Sequence, residues 1–329
     1  MEIEKNHTIA VEKIKDESNQ FQALAHEVGK IIVGQEQIIN LISIAILCHG
    51  HILLEGVPGV AKTTMIKAIT NALGLTFKRI QFTPDLLPAD LIGTLIYNPK
   101  TQDFETRKGP IFANLILADE INRAPAKVQA ALLEAMQEQQ VTIGSQTFAL
   151  ETPFLVFATQ NPIEQEGTYR LPEAQVDRFM FKLLVDYPNK TQERQIIERS
   201  FNNYSGQPVF FNNDIATTQA LVKTIYVDNK ITDYILSIIF ATREPQQYGL
   251  DDIKKYIKYG VSPRATLALY NASKAHAFLK KRHFVTPDDV KAVCIPTLRH
   301  RILLSYEADA DEVSADTIIK KILNTVPTP

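Results

Sequence analysis

The stretch from His51 to Thr64 constrains the fold of this chain more than any other part of the sequence. Ile52–Leu54 is a short apolar run, which is typical of a buried parallel strand. A tight loop follows, and a helical pattern then begins at Lys62, runs to Leu73 and meets Gly74, a residue suited to end it. A strand, a glycine-containing loop and a helix in this order predict an anion-binding turn at the edge of an α/β sheet.

The loop residues have the chemistry of a triphosphate site. Backbone N–H groups of such a loop converge on one point, where the helix dipole adds partial positive charge. Lys62 would supply a full charge to the β- and γ-phosphates, and Thr63 a hydroxyl to Mg²⁺. We therefore predict a site for a nucleoside triphosphate and Mg²⁺ that is formed by Gly56, Val57, Pro58, Gly59, Val60, Ala61, Lys62, Thr63 and Thr64.

One residue departs from the usual pattern of such loops, in which a glycine precedes the lysine. Ala61 occupies that position here, and alanine lacks the easy access of glycine to positive φ. We expect the loop either to pass this point in an ordinary conformation or to bear mild strain. The alternative, a chance Gly/Pro turn before a helix, is disfavoured by the offset of Lys62 and Thr63 from the apolar strand.

Two carboxylates follow another apolar segment. Leu115–Ala118 is predicted to be a strand that ends in Asp119 and Glu120, and ligands of open α/β sheets bind beyond the carboxyl ends of the strands. Asp119 suits the outer shell of Mg²⁺, with Thr63 in the inner shell, and Glu120 suits polarising a water for attack on the γ-phosphate. The alternative is a solvated acidic turn, which the phosphate loop upstream disfavours.

Other apolar segments are expected to extend the sheet or to form hairpins. Phe154–Ala158 precedes Asn161, whose amide would therefore lie at the same sheet edge and could orient the attacking water. Two prolines exclude a regular helix between Thr83 and Leu91. Turn residues between strand patterns predict two hairpins, Thr94–Tyr97 with Phe104–Arg107 and Val141–Ile143 with Thr147–Ala149.

From Thr191 onward the chain has helical periodicity. Pro188-Asn189 marks a boundary in the pattern. Ser262-Pro263 and Thr286-Pro287 each provide an N-cap followed by a proline suited to the first helical position. We predict an α/β domain over residues 1–188 and an all-helical domain over residues 189–329.

Composition excludes several classes of protein. The net charge of −2 over 329 residues gives no basic excess for nucleic-acid binding, and no apolar run is long enough to span a bilayer. The segment Met1–Gln20 is charged and lacks a secretory apolar core, so we expect a cytoplasmic protein. Cys48 and Cys294 lie among apolar neighbours and are expected to be reduced core residues.

Histidines and basic clusters suggest no further site. The seven histidines have no metal-ligand spacing, and His49 and His51 are expected at the edge of the core. The cluster Arg299–Arg301, together with Lys280–Arg282, is expected to be a solvated face. Nucleic-acid binding by these clusters is the less favoured alternative.

The chain resembles the MoxR type of AAA+ ATPases from Val33 to the region of His300 and Arg301. The resemblance includes the phosphate loop with its alanine before the lysine, and it continues in Gln81–Pro88, Asp119–Ala124, Ala131–Glu138, Ala158–Pro162, Leu171–Phe179 and Ser262–Arg264. It implies an α/β fold, an AAA+ P-loop core with a parallel sheet flanked by helices, plus a C-terminal all-helical lid domain. It also implies a ring of identical subunits, expected to be a hexamer.

The resemblance further implies roles for individual residues. Asn161 would be the sensor-1 residue, and Arg178 the arginine finger that reaches the ATP of a neighbouring subunit. Arg264 would be the sensor-2 residue, carried by the lid. Val33 and Gly34 would contact adenine. The two hairpins would be the helix-2 insert and the pre-sensor-1 hairpin.

Each arginine has an alternative interpretation. Arg178 could pair with Asp177 or Glu173 in an ordinary surface ion pair. Arg123 is a rival for the finger, because it also lies near the catalytic edge. Arg264 is in the first turn of a helix and opposes its dipole, which favours a bound anion there.

The expected function is Mg²⁺-dependent ATP hydrolysis that drives chaperone-like remodelling or maturation of a client protein, with a von Willebrand A-domain protein as partner. The alternatives are the ATPase subunit of a metal chelatase, a nucleic-acid motor, and a nucleotide-gated binding module that barely turns over. Glu120 disfavours the last of these. Neither nucleic acid nor a transmembrane segment is expected, so membrane association would occur only through partners.

Overall fold

A computed structural model describes residues 2–57, 59–161, 169–200, 207–210 and 214–329. Pro58, predicted as part of the phosphate loop, lies outside the described residues. The strands are β1 (Ile52–Gly56), β2 (Phe77–Gln81), β3 (Gly93–Asn98), β4 (Asp103–Lys108), β5 (Leu115–Asp119), β6 (Gln140–Ile143), β7 (Gln146–Ala149), β8 (Leu155–Gln160), β9 (Phe181–Val185), β10 (Ile257–Tyr259) and β11 (Leu303–Leu304). The helices are α1 (Glu2–Ile31), α2 (Glu36–Leu47), α3 (Lys62–Leu73), α4 (Pro88–Ile92), α5 (Ala126–Glu138), α6 (Glu173–Val176), α7 (Lys190–Ser200), α8 (Asp214–Lys223), α9 (Asn229–Arg243), α10 (Asp251–Lys254), α11 (Pro263–Leu279), α12 (Pro287–Leu298), α13 (Tyr306–Ala310) and α14 (Ala315–Thr325).

A parallel sheet of five strands in the order β2-β5-β8-β1-β9 forms the centre of the α/β part. Its inner strands are buried almost throughout, which is why they appear in the sequence as continuous apolar runs. All five strands run the same way, so the sheet has one carboxyl edge and one amino edge. The predicted α/β fold with a parallel sheet flanked by helices is confirmed.

Helices cover both faces of this sheet. Leu115 and Leu117 of β5 pack into a cluster with α1, α2 and α3, whereas Ile116 and Ala118 pack into a second cluster with α5. The alternation follows from the two-residue period of a strand. The first cluster continues into the C-terminal helices, so one face of the sheet and the helical part of the chain share a core.

Both predicted hairpins are present as antiparallel pairs, β3 with β4 and β6 with β7. The two hairpins are in contact. A Cβ atom placed on Gly144 in the second hairpin would be only 2.6 Å from Cδ1 of Leu95 in the first. Tyr97 and Phe104 project from the first hairpin and are 50% and 62% exposed. Their rings pack edge to face with centroids 5.4 Å apart.

The expectation that prolines exclude a regular helix between Thr83 and Leu91 is wrong for the end of that segment. Helix α4 begins at Pro88, because proline lacks only an N–H that the first helical turn does not use. The carboxylate of Asp90 also accepts a hydrogen bond of 2.9 Å from the backbone N–H of Leu87. Helix α4 therefore has a proline in its first turn and an acidic residue that caps its N-terminus.

The C-terminal part is helical, as predicted, and two of its helices begin at the predicted caps. Ser262 Oγ accepts from the N–H of Arg264 at 3.2 Å at the start of α11, and Thr286 caps α12. The short antiparallel pair β10 and β11 was not predicted. The domain boundary at residue 188 stays a prediction, because helices α1 and α2 also contact α11.

The prediction that Arg299–Arg301 is a solvated face is wrong. Arg301 has a side chain only 3% exposed and pairs with Asp177 at 2.9 Å. Arg299 pairs with Asp316 at 2.5 Å, and burial holds the pKa of His300 well below its ordinary value. The cluster follows the C-terminal end of α12, a helix that packs against β9. Both arginines of the cluster are paired with an aspartate.

A buried charge network stabilises the start of α12. Asp289 is fully buried and accepts hydrogen bonds from His276 at 2.6 Å, from both terminal nitrogens of Arg282, and from Thr286. Burial alone would raise the pKa of this carboxyl group, but the hydrogen bonds from His276 and Arg282 outweigh it and hold the pKa well below the ordinary 3.8. The contribution to stability is therefore present above pH 3.8 and is lost as the pH falls toward the folded value.

Replacing Asp289 by alanine is expected to lower the free energy of unfolding by about 3 kcal/mol, since it leaves Arg282 without its buried partner. Urea denaturation followed by circular dichroism measures the loss. The matched control is Asp288→Ala, because Asp288 is exposed in the same helical turn and contributes at most about 1 kcal/mol through the helix dipole. Equal effects of the two substitutions would contradict a special role for the buried network.

Candidate functional site

The predicted phosphate loop connects β1 to α3 at the carboxyl edge of the sheet. Gly56 is required by close packing, because a Cβ atom there would lie 2.5 Å from the carbonyl oxygen of Val185 in β9. Ala61 has φ 56° and ψ 25°. Of the two conformations considered for the loop, it therefore adopts the strained, left-handed one. Its left-handed conformation lets α3 begin directly at Lys62.

Lys62 lies across the loop that precedes it. Its Nζ donates a hydrogen bond to the carbonyl oxygen of Gly56. Burial lowers the pKa of Lys62, while the charges of Asp119 and Glu120 act in the opposite direction. The lysine is thus within electrostatic reach of both predicted acids, as a shared site at the carboxyl edge requires.

A hydrogen-bonded network holds the two acids that follow β5. Oγ1 of Thr159 in β8 donates to Oδ1 of Asp119 at 2.6 Å. Oγ1 of Thr159 also accepts a hydrogen bond from the backbone N–H of Glu120 at 2.8 Å. Arg79 donates to Oδ2 of Asp119 at 3.0 Å through Nε. Oε2 of Glu120 accepts from Gln81 at 2.8 Å and from Arg123 at 3.0 Å. Arg79 also donates to Oε1 of Gln81 at 3.1 Å, so the two carboxylates belong to one hydrogen-bonded network.

Sequence reasoning missed three residues of this network, Arg79, Gln81 and Thr159. The first two lie on β2, whose register places Gln81 directly beside Asp119. A signal was present, because β2 carries polar side chains at its carboxyl end. It could be interpreted only once β2 was known to neighbour β5.

The residues predicted to contact adenine lie between α1 and α2. Val33 is 9% exposed, and Gly34 has φ +75°. A Cβ atom on Gly34 would be 2.2 Å from Nε2 of Gln192 in α7, so the glycine lies directly against this side chain, and its positive φ favours glycine at this position. The next side chain, Gln35, donates to the carbonyl oxygen of Asp186 at 3.5 Å, just beyond β9. The turn is thus joined to the strand end that packs on the phosphate loop.

Asn161 directly follows β8, so its backbone lies at the carboxyl edge, as predicted. Residues 162–168 beyond it are outside the described part of the chain. Arg123, the rival for the finger, lies at this same edge, where it contacts Glu120.

The structure places Arg178 and Arg264 at the opposite edge of the sheet. Both line a cavity of about 280 Å³, which we call the amino-edge cavity, together with Gly50, His51 and Met180. These last three residues precede β1 and β9, so the cavity lies at the amino ends of the strands. A strand of five residues spans about 16 Å, and this length separates both arginines from the phosphate loop of their own chain.

Arg178 does not form the ion pair considered as its alternative role. Its Nε and Nη2 donate to Oε1 of Gln137 at 3.3 and 3.1 Å, and its Nη1 donates to the carbonyl oxygen of Ala174 at 3.4 Å. Asp177 instead binds Arg301 at 2.9 Å, accepts from Ser262 Oγ at 2.9 Å and lies 4.0 Å from Arg264.

Other candidate sites are not supported among the described residues. His51 is buried, lies 3.2 Å through Nε2 from the carbonyl oxygen of Met136, and has its pKa lowered by burial to about 4. Both cysteines are free, with Cys48 half-buried and Cys294 buried, and desolvation raises the pKa of Cys48 to about 12. Across the described residues, no group of three or more His, Cys, Asp or Glu side chains could hold a metal ion. No helix in this part of the chain is long and apolar enough to cross a membrane.

Comparisons with known proteins agree with this geometry. Residues 51–181 match the ATPase family associated with various cellular activities (AAA), and residues 251–322 match the AAA lid domain. The first range contains the phosphate loop, both acids, Asn161 and Arg178. The second contains Arg264. The chain therefore has an ATPase domain that binds and hydrolyses nucleotide, followed by a lid.

Relatives of nearly the same length carry a more specific family name. Over 304 residues the chain is 48% identical to "Chaperone MoxR1" of Mycobacterium tuberculosis, covering 92% of this chain and 81% of that protein. It is 44% identical over 311 residues to the uncharacterized protein YeaC of Bacillus subtilis, covering 94% of each. A solved structure from Cytophaga hutchinsonii, named as a candidate ATPase, superposes with a TM-score of 0.92 at 48% identity and covers 100% of this chain and 99% of that one. The chain belongs to the MoxR family of AAA+ ATPases.

Proposed function

We propose that the carboxyl edge binds Mg²⁺ and ATP and that four side chains divide the chemistry. Lys62 neutralises the β- and γ-phosphates, and Glu120 polarises the attacking water. Thr63 and Asp119 offer the hydroxyl and carboxylate oxygens that Mg²⁺ prefers, in its inner and outer shell respectively. The metal would supply charge neutralisation at the phosphates. The observation that supports this proposal most is the position of Lys62, Asp119 and Glu120 at or just beyond the carboxyl ends of strands of one parallel sheet.

The remaining nucleotide contacts are assigned on the same basis. Asn161 would orient the attacking water from the end of β8, and Val33 and Gly34 would contact adenine through the turn that joins α1 to α2. The hydrogen bond from Gln35 to the carbonyl oxygen of Asp186 supports this assignment, because it ties the turn to the end of β9 beside the phosphate loop.

Arg178 and Arg264 would act on the ATP of a neighbouring subunit. Both lie at the amino edge, about one strand length from their own phosphate loop. A neighbour that packs its carboxyl edge against the amino-edge cavity would supply the phosphates for them. AAA+ ATPases commonly oligomerise, and we propose that this chain forms a ring, with six subunits as the expected number.

Replacing Lys62 by alanine is expected to abolish measurable ATP binding while leaving the fold intact, since the phosphate site loses its full charge. Isothermal titration with ATP and Mg²⁺ measures the affinity, and circular dichroism checks the fold. Lys67→Ala is the matched control, because Lys67 is exposed on the same helix and its removal should leave affinity unchanged. An unaltered ATP affinity in the Lys62 variant would refute the phosphate-loop assignment.

We further propose chaperone-like remodelling or maturation of a client protein, with a von Willebrand A-domain protein as partner and the cytoplasm as location. The name of the Mycobacterium tuberculosis relative supports the chaperone role. The exposed apolar side chains on the first hairpin support contact with another protein. A pull-down with the Glu120→Gln variant held in its ATP state should enrich a von Willebrand A-domain protein over the nucleotide-free control. Stimulation of ATPase activity by DNA would favour a nucleic-acid motor instead.

A further inference from the structure

Gln137 contacts the arginine that the proposed function places opposite a neighbouring ATP. It lies in the last turn of α5 and its side chain is exposed to solvent. Its own Nε2 donates to Oε1 of Glu138 at 3.0 Å, which fixes the orientation of the amide. The carbonyl oxygen of Gln137 is thereby left to face Arg178, where it accepts two hydrogen bonds.

The two hydrogen bonds occupy one particular side of the guanidinium. A guanidinium has five N–H donors, and Nε with Nη2 forms the side fork. In Arg178 this fork is bound to Oε1 of Gln137, and one N–H of Nη1 is bound to Ala174. Among the described contacts, one N–H on each terminal nitrogen remains. These N–H groups can donate to the oxygens of a phosphate.

Gln137 is also close in sequence to the second hairpin, so a movement of that hairpin would shift its position. Two residues later, Gln139 has φ 51° and turns the chain from α5 into β6. Its carbonyl oxygen accepts from Leu150 N at 2.9 Å and closes the base of the hairpin. The tip of the same hairpin packs on the first hairpin through Gly144 and Leu95. Gln137, which binds Arg178, therefore lies directly before the base of the second hairpin.

We propose that Gln137 is a positioning residue for Arg178, holding the side fork of the guanidinium so that its two remaining terminal N–H groups are presented to the γ-phosphate of a neighbouring subunit. This inference rests on the proposed trans role of Arg178. Without the glutamine oxygen, the arginine side chain samples several rotamers and meets the phosphate in a poor orientation. A misplacement of about 1 Å at a reacting group can cost about 10²-fold in rate.

The test compares Gln137→Leu, which removes the acceptor at similar size, with Gln137→Glu, which keeps an oxygen at the same reach. The leucine variant is expected to lower kcat by about 10- to 100-fold and to leave ATP affinity within twofold, because each chain's phosphate loop is untouched. The glutamate variant keeps an acceptor for Arg178 but loses the N–H that binds Glu138, so it should recover only part of the loss. Gln195→Leu, an exposed glutamine on α7, is the matched control and should keep full activity.

A double-variant cycle separates positioning from a structural role. In an Arg178→Ala background, Gln137→Leu should cause no further loss, since the residue that it positions is already gone. An equal loss in both backgrounds, or an unchanged kcat in the single variant, would overturn the inference. If Arg178→Ala itself retains full activity, the proposed trans role fails, and this result is distinct from failure of Gln137 alone.

Discussion

Replacing Arg178 by alanine is expected to slow ATP hydrolysis by about 10³- to 10⁵-fold while ATP affinity changes little. The expected loss is large because a trans arginine neutralises charge that develops on the transferring phosphoryl group. Steady-state hydrolysis and equilibrium binding on the same preparation separate the two effects. The matched control is Arg194→Ala, since Arg194 is exposed on α7 and should leave both quantities unchanged.

Mixing two inactive variants tests whether Arg178 acts between subunits. An Arg178→Ala subunit keeps its phosphate loop, and a Lys62→Ala subunit keeps its arginine, so some mixed interfaces contain both residues. ATPase activity should therefore return in part once subunits exchange, and a size measurement must show that mixed assemblies form. Mixed assemblies that stay inactive would count against Arg178 and make Arg123 the next candidate. A monomer that hydrolyses ATP at the full rate would refute the ring itself.

Replacing Glu120 by glutamine is expected to lower the hydrolysis rate by about 10²- to 10⁴-fold with ATP binding retained, because a general base is needed only for the chemical step. The substitution keeps the size of the side chain and an oxygen that can still accept from Gln81. A single-turnover assay measures hydrolysis independently of product release. Glu151→Gln, an exposed acid, serves as the control. Hydrolysis within a factor of two of the parent would exclude Glu120 as the base.

The carboxyl edge could be predicted from the sequence because its signals are local. An apolar strand, a tight loop and a helix start fix Lys62, and the ends of parallel strands necessarily meet at one edge. Asp119 and Asn161 could therefore be placed there without knowledge of the strand order. Ala61 left two conformations open, since the sequence shows the missing glycine but not whether the fold tolerates strain.

The amino edge could not be predicted, because its contacts join distant parts of the chain. Asp177 contacts Ser262 and Arg301, which lie 85 and 124 residues later. These contacts bring the lid to the strand ends beside Arg178, and no local pattern encodes them. The same distance explains why Arg301 was wrongly predicted to be solvated, since its acidic partner Asp177 belongs to another part of the fold.

The separation of the phosphate loop from Arg178 has a consequence for how copies of the chain associate. A contact that joins the carboxyl edge of one copy to the amino edge of the next uses two different faces, so it is heterologous and repeats head to tail. A pair of copies joined in this way completes one reaction centre and leaves a second one half built. Each added copy completes one more, and only closure of the ring leaves no unfinished end. Activity per subunit should therefore rise with the extent of assembly and reach its limit when the ring closes.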